Sequence, residues 1–430
     1  MFIKFIKKSL QSRTKSQVIL LILLSCLFNG CTNNISRDKL PFPLTSNSCA
    51  ENVKVVTVPL PVIASSPNEG ITSGVLGAFL IHNRNDEVHT LLAPQINYNP
   101  NFGVTTSLYS SFYPNSDLNI ETNLSQSTIV NYDYSFKLRD TAFLSKKIEL
   151  NATGGAFADG SSRFFGFHAK SPQQMETNYS DQEVGYNISL GYQFAKNFQF
   201  VVGDRYRHVE IRKGAIKKLP NIKEKFGAEA VPGINGFSTH AIKFSLIYST
   251  LNNKDTPTHG NYVRLSIEPT VKALGGTSNY RDYEAEIKSY LPLDNSRYIS
   301  VIRFMYNQTL NDKTNDDVPF LEQSILGGEN SLRGYGRNRF IDNSFVLLNL
   351  EERIRLFRWE IFDVTADWEF APFIDFGAVM RSMDQFSWKN FEYNPGFGLR
   401  AIVRPNIVGR IDIGVGKDGP AVFVGLGYPF

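Results

Sequence analysis

Residues 183–194, EVGYNISLGYQF, alternate without a break. Val184, Tyr186, Ile188, Leu190, Tyr192 and Phe194 share one parity, while Gly185, Asn187, Ser189, Gly191 and Gln193 share the other. Successive side chains of a strand point to opposite faces, so this segment is a strand with one apolar and aromatic face and one small, polar face. HAIKFSLIY repeats the pattern, as does RDYEAEIKSYL, which puts Asp282, Glu284, Glu286 and Lys288 on the polar side. From Ile71 to the last residue no segment has a convincing helical period. A soluble sandwich would also alternate, but it would bury fewer aromatics; aromatics at the ends of dyad repeats are the signature of a transmembrane barrel. The 33 Phe and 19 Tyr residues fit strands with one greasy face each.

The alternation predicts strands over about 71–83, 88–99, 102–114, 117–138, 146–158, 180–195, 197–213, 237–250, 260–273, 278–292, 297–310, 343–357, 366–380, 391–403, 407–417 and 420–430. The expected fold is therefore all-β, a 16-stranded antiparallel transmembrane β-barrel, the even count placing both chain ends on one side. Connections alternate between short, as at 195–197 and 292–297, and long, as at 158–180, 213–237 and 310–343. The basic run RKGAIKKLPNIKEKFG, 212–227, reads as a solvated long loop.

The first 31 residues combine a Lys/Arg-bearing start with an apolar run from Val18 to Phe28. Eleven residues cannot span a bilayer, so 1–31 is expected to be a secretory signal. Cys26 and Cys31 each follow a small residue, leaving lipoprotein-type processing and ordinary cleavage both open. Residues 32–70 are polar and then Pro-rich, and are expected to form an extended lead-in before a barrel at 71–430. A net charge of +4 gives no reason to expect a nucleic-acid partner. His82, His89, His168, His208, His240 and His259 show no ligand spacing, and no G-x-S-x-G, P-loop or H-E-x-x-H is present, so neither a metal or other cofactor nor an enzyme activity is expected.

The most informative loop is Leu326–Phe340, LGGENSLRGYGRNRF. In the following strand, FVLLNLEERIRL, the polar parity holds Asn349, Glu351, Arg353 and Arg355; in PFIDFGAVM it holds Asp375. If those strands are neighbours, Glu351 and Asp375 face one interior that Arg333 can reach. A guanidinium between two carboxylates makes charge-assisted, often bidentate hydrogen bonds and would pin the loop inside the barrel. Gly334 and Gly336 are expected to supply a tight, partly left-handed turn, and Tyr335 an aromatic anchor.

SLRGYGRNRF resembles the signature on the sixth extracellular loop of the outer membrane protein 85 superfamily, also called the bacterial surface antigen family. The likeness continues through LLNLEERI, FIDFG, NPGFGLR, GRIDIGVG and VFVGLGYPF, and is specific over 237–430. It implies an outer-membrane barrel with a long loop folded into the lumen, in contact with outer-membrane lipid and lipopolysaccharide. It implies insertion or translocation of unfolded outer-membrane protein clients through a lateral seam. About forty residues between signal and barrel are too few for the polypeptide-transport-associated (POTRA) domains that many members carry, so a passive pore or structural surface barrel stays open as the alternative. The terminal strand is expected to send Val422, Val424, Leu426, Tyr428 and Phe430 to lipid. Tyr428 and Phe430 there resemble the sorting signal read by the barrel-assembly machinery, of which this chain would be a client.

Overall fold

Strands joined edge to edge account for most of the chain, and the order in which they join is almost the order of the sequence. The computed structural model describes residues 31–36, 52–83, 87–294, 297–312, 317–361, 364–403 and 407–430. β1 (Cys31–Ser36) and β2 (Asn52–Ser66) precede β3 (Gly70–His82), β4 (Val88–Asn99), β5 (Gly103–Phe112), β6 (Leu118–Ser127), β7 (Tyr132–Asp140) and β8 (Ile148–Asp159). A two-residue β9 (Arg163–Phe164) leads to β10 (Thr177–Ala195), β11 (Phe198–Lys213), β12 (Phe237–Ser249), β13 (Gly260–Pro269), β14 (Tyr280–Leu293) and β15 (Tyr298–Asn311). β16 (Ser324–Leu326) and β17 (Phe340–Asp342) pair as a separate ribbon. β18 (Ser344–Ile361), β19 (Val364–Met380), β20 (Glu392–Val403), β21 (Ile407–Gly416) and β22 (Gly419–Leu426) complete the series.

From β2 to β22 each long strand runs antiparallel to the next, with β8 joined directly to β10 and β15 to β18. The expectation of sixteen strands is corrected: eighteen long strands follow one another among the described residues. One addition is β2, inside the segment that reads as a lead-in. The other comes from 117–138, which is a hairpin, β6 and β7, turning at 128–131 with Val130 at φ 59°.

The two faces separate as the alternation requires. Val184, Tyr186, Ile188, Leu190, Tyr192 and Phe194 are all exposed on β10, while Glu286, Asn349, Glu351, Arg353, Asp375 and Arg400 are buried. An apolar exterior and a charged interior suit a wall with lipid outside. The long-loop end is closed by a hydrophobic cluster in which Phe164, Tyr179, Ile222, Val231, Ile234, Phe320 and Ile341 meet. This corrects the reading of 212–227 as simply solvated: Ile222 is fully buried, and the lysines beside it stay at the surface.

β22 lies beside β2, but no hydrogen-bonded ladder joins them among the described residues. β2 carries Pro59 and Pro61, each without an N–H; being two residues apart, both missing donors fall on the same edge of the strand. Proline is tolerated on edge strands for this reason. β1 pairs with the lower part of β2, Cys31 opposite Thr57 through Ser36 opposite Asn52.

Candidate functional site

The β16–β17 ribbon hangs from the long-loop end and carries residues 327–339 into the lumen. Gly327 and Gly328 open this excursion with φ of 113° and 94°, a backbone that L side chains rarely adopt. Gly334 and Gly336 are not in that region, so the expected left-handed turn at those two is corrected. Their role is close approach: a Cβ on Gly334 would lie 2.5 Å from Asn394 Cβ and 2.7 Å from the Gly416 backbone nitrogen. Gly334→Ala is therefore expected to lift the loop tip at a cost of about 1–3 kcal/mol. Trypsin cleavage at Arg337 and Arg339 should accelerate in that variant while the barrel stays folded.

Arg333 is fully buried. Its Nε and Nη2 donate to the two Asp375 oxygens at 3.0 and 2.8 Å, and its Nη1 donates to Glu351 Oε2 at 2.6 Å. The Arg333 backbone N–H adds a third bond to Asp375, at 3.1 Å. The guanidinium stacks 3.4 Å above the Phe373 ring centroid. Burial alone would lower the pKa of this group, but Asp375 and Glu351 outweigh burial and hold it above the ordinary arginine value.

The acids are held as firmly as the cation. Asn349 and Asn394 donate to Asp375 at 2.8 and 3.0 Å, so both its oxygens are shared between loop and wall. Glu351 also accepts from Arg353 at 3.0 Å and from Arg400 at 2.8 and 2.9 Å. Arg400 reaches on to Glu369 and Asp412, and Arg410 pairs with Asp412 at 2.7 Å. Four arginines thus interleave with Glu351, Glu369, Asp375 and Asp412 across β18 to β21. Pairing of opposite charges at this density is what makes so many buried ions tolerable.

Tyr335, two residues on, donates its hydroxyl to Glu392 Oε2 at 2.8 Å and meets Phe340 edge-on. Burial pushes its phenol above the usual tyrosine range. Leu326, Leu332, Phe345, Leu347 and Val379 pack around it, giving the loop an apolar footing beside its ionic one.

A second tether holds the same loop upstream. Glu322 accepts from Arg205 Nη2 at 2.8 Å, Arg207 Nη1 at 2.9 Å and the Tyr280 hydroxyl at 2.6 Å. Burial opposes its charged form, but Arg205 and Arg207 prevail and bring its pKa to about 2. An acid with a depressed folded pKa stabilises fully above its unfolded value, about 4.3, and that contribution fades as pH falls toward 2. Glu322→Gln should therefore flatten the acid limb: the urea midpoint of the parent protein drops more between pH 5 and 2 than that of the variant. Sequence reading passed over Glu322 because nothing in PFLEQS indicates which wall strand it meets.

The last four residues overturn one expectation. Along β22 the parity holds, with Val424 and Leu426 exposed and Phe423 buried. Gly427 then adopts φ 79° just past the end of the strand, and the residues after it leave strand parity. Tyr428 and Phe430 turn into the lumen and not to lipid. The Tyr428 ring lies 3.6 Å from the Arg353 guanidinium and 5.1 Å from that of Arg400, and its hydroxyl donates to Glu369 at 3.3 Å. Phe430 sits 5.2 and 5.3 Å from Arg303 and Arg333. The end of the chain thus roofs the same charged cluster that holds the loop. Cys31 is exposed at the start of β1, and Cys26 lies outside the described residues.

Solved structures and a family model are similar to this chain. BamA from Haemophilus ducreyi lacking POTRA domains 1–3 matches with a TM-score of 0.51 at 14% identity, covering 86% of this chain and 74% of that one. CdiB from Acinetobacter baumannii matches at 10% identity and TM-score 0.46, covering 94% of this chain and 66% of that chain. CdiB from Escherichia coli matches at 12% and 0.47, covering 93% and 67%. At these identities the likeness to BamA is one of fold, and the chain spans about two thirds of the CdiB proteins. The Omp85 superfamily domain matches residues 115–416, reaching well upstream of the segment whose motifs carry the resemblance in sequence. With an apolar-walled barrel, an arginine loop seated in its lumen and that domain matched over more than half its length, the chain belongs to the Omp85 superfamily.

Proposed function

We propose that this barrel inserts or translocates polypeptides at the outer membrane, and that the boundary between β2 and β22 is the element that opens. The observation that carries this reading is the state of that boundary: two strands lie side by side without a ladder among the described residues, one bearing Pro59 and Pro61, the other ending at Leu426. Among the described residues every other pair of consecutive long strands is joined by a hydrogen-bonded ladder, so parting the wall costs least here. A strand edge freed in this way is a template for another extended chain. The locked loop acts as a strut, keeping β18 to β21 rigid while the other side of the seam moves. Its partners on this reading are outer-membrane lipid and lipopolysaccharide, the barrel-assembly machinery that places it, and unfolded outer-membrane proteins as clients; the work is non-enzymatic and needs no cofactor.

Proteoliposomes carrying the protein should accelerate folding of an added urea-unfolded outer-membrane barrel over protein-free liposomes of the same lipid. The passive-pore reading draws on a cavity of about 1430 Å³ at the short-turn end, lined by Lys137, Glu149, Lys243, Arg264 and Lys288 among others. A steady open channel in planar bilayers, with no acceleration of client folding, would establish the pore and reject insertion.

A further inference from the structure

Glu352 stands on the lipid-facing side of this wall and makes no ion pair among the described residues. On β18, Glu351 and Arg353 are buried toward the lumen, so Glu352 between them shares the outer face with Leu350 and Ile354. Opposite it is Ser300, two residues past the start of β15, which places the pair at the short-turn margin of the wall. The Ser300 hydroxyl donates to Glu352 Oε2 at 2.6 Å, while Glu352 Oε1 is buried with no hydrogen-bond partner among the described residues. A groove of about 410 Å³ opens outward beside it, bounded by Ile302 of β15, Leu350 of β18, and Pro372 and Ile374 of β19. The β18–β19 register passes from Glu351 opposite Phe373 to Ile354 opposite Phe370, and Pro372 between them has no N–H, so the ladder lapses beneath the groove. Arg297, at the β14–β15 turn, lies 5.7 Å from the ring of Tyr298, the outward neighbour of Ser300. A charged side chain on the lipid face costs more the deeper it lies, an unsatisfied acceptor adds to that cost, and an ionisable group so placed calls for a partner.

We propose that this groove binds one phospholipid with a primary ammonium headgroup: the ammonium donates to Glu352 Oε1, Arg297 meets the phosphate, and an acyl chain lies along Ile302, Leu350 and Ile374. A charge-assisted bond of this kind satisfies the oxygen that Ser300 leaves over. One outward step of the strand, roughly 7 Å, separates the Glu352–Ser300 pair from Tyr298 and Arg297, a span that a zwitterionic headgroup bridges. Lipid is favoured over a polypeptide because the groove opens on the face that the wall presents to hydrocarbon. The inference rests on the barrel spanning a membrane and not on the insertion reading.

The test titrates the full chain in detergent with dioleoyl phosphatidylethanolamine or with dioleoyl phosphatidylcholine, whose quaternary ammonium has no N–H to donate. Native mass spectrometry reads the first bound lipid. The parent should bind the ethanolamine lipid at least tenfold tighter than the choline lipid. Glu352→Gln should bring the two within twofold of each other, whereas Arg297→Gln should weaken both and keep the preference. If Glu352→Gln loses its heat-modifiable barrel, Ile302→Trp decides: it fills the groove and should weaken both lipids at least tenfold, and unchanged affinity there would reject the site. Equal affinity of the parent for the two lipids, or a preference that survives in Glu352→Gln, would overturn the proposal. So would Glu352-dependent capture of an apolar peptide with one central lysine by a parent that does not discriminate between the lipids, which would give the groove to a polypeptide. None of these readouts requires client insertion, so failure of the insertion reading leaves this result standing.

Discussion

Arg333→Ala releases the loop tip and destabilises the barrel by about 3–5 kcal/mol, the range for removing one partner of a buried ion pair. The substitution strips Asp375 of two side-chain bonds and Glu351 of one, leaving their buried charge less compensated. It also removes the cation above Phe373. Urea unfolding in lipid reads the stability, and trypsin access at Arg337 and Arg339 reads the loop. Arg333→Lys should recover only part of the loss, since an ammonium cannot reproduce the fork that spans both acids.

Glu351→Gln is expected to cost the wall more than Arg333→Ala does. Glu351 accepts from Arg333, Arg353 and Arg400, the last bidentately, so it is the point at which three cations meet. Without its charge, those guanidiniums repel one another around Asp375, Glu369 and Asp412, and Arg353 loses its carboxylate. The expected loss is again about 3–5 kcal/mol or more, but its distribution differs. In Arg333→Ala the loop becomes accessible well before the strands do. In Glu351→Gln, loop and strands should yield together, with heat-modifiability shifting to lower temperature and hydrogen exchange accelerating across β18 to β21.

Legibility in the sequence depended on how far apart in the chain the interacting residues lie. Glu351 and Asp375 declared themselves because parity alone fixes which face a strand residue takes, and β18 and β19 are consecutive. Arg400 and Asp412 sit in motifs that sequence reading noted, NPGFGLR and GRIDIGVG, yet the pairing of Arg400 with Glu351 and with Asp412 depends on register across several strands. β2 escaped notice because its prolines argue against a central strand, and one of its edges meets β22 without a ladder among the described residues. Tyr428 and Phe430 followed strand parity on paper, but the strand ends at Leu426 and they leave that parity after a left-handed glycine. Gly334 and Gly336 were rightly singled out for the wrong cause: they need space and not an unusual φ.

The central structural claim is that a loop is fastened within the wall by a specific ionic contact. A double-mutant cycle on Arg333→Met and Glu351→Gln, measured by reversible urea unfolding in lipid, tests it most directly. A coupling energy of about 1–3 kcal/mol is expected, as found for residues in one buried network. Additivity of the two substitutions within about 0.5 kcal/mol would mean that Arg333 and Glu351 do not meet, and would contradict the account.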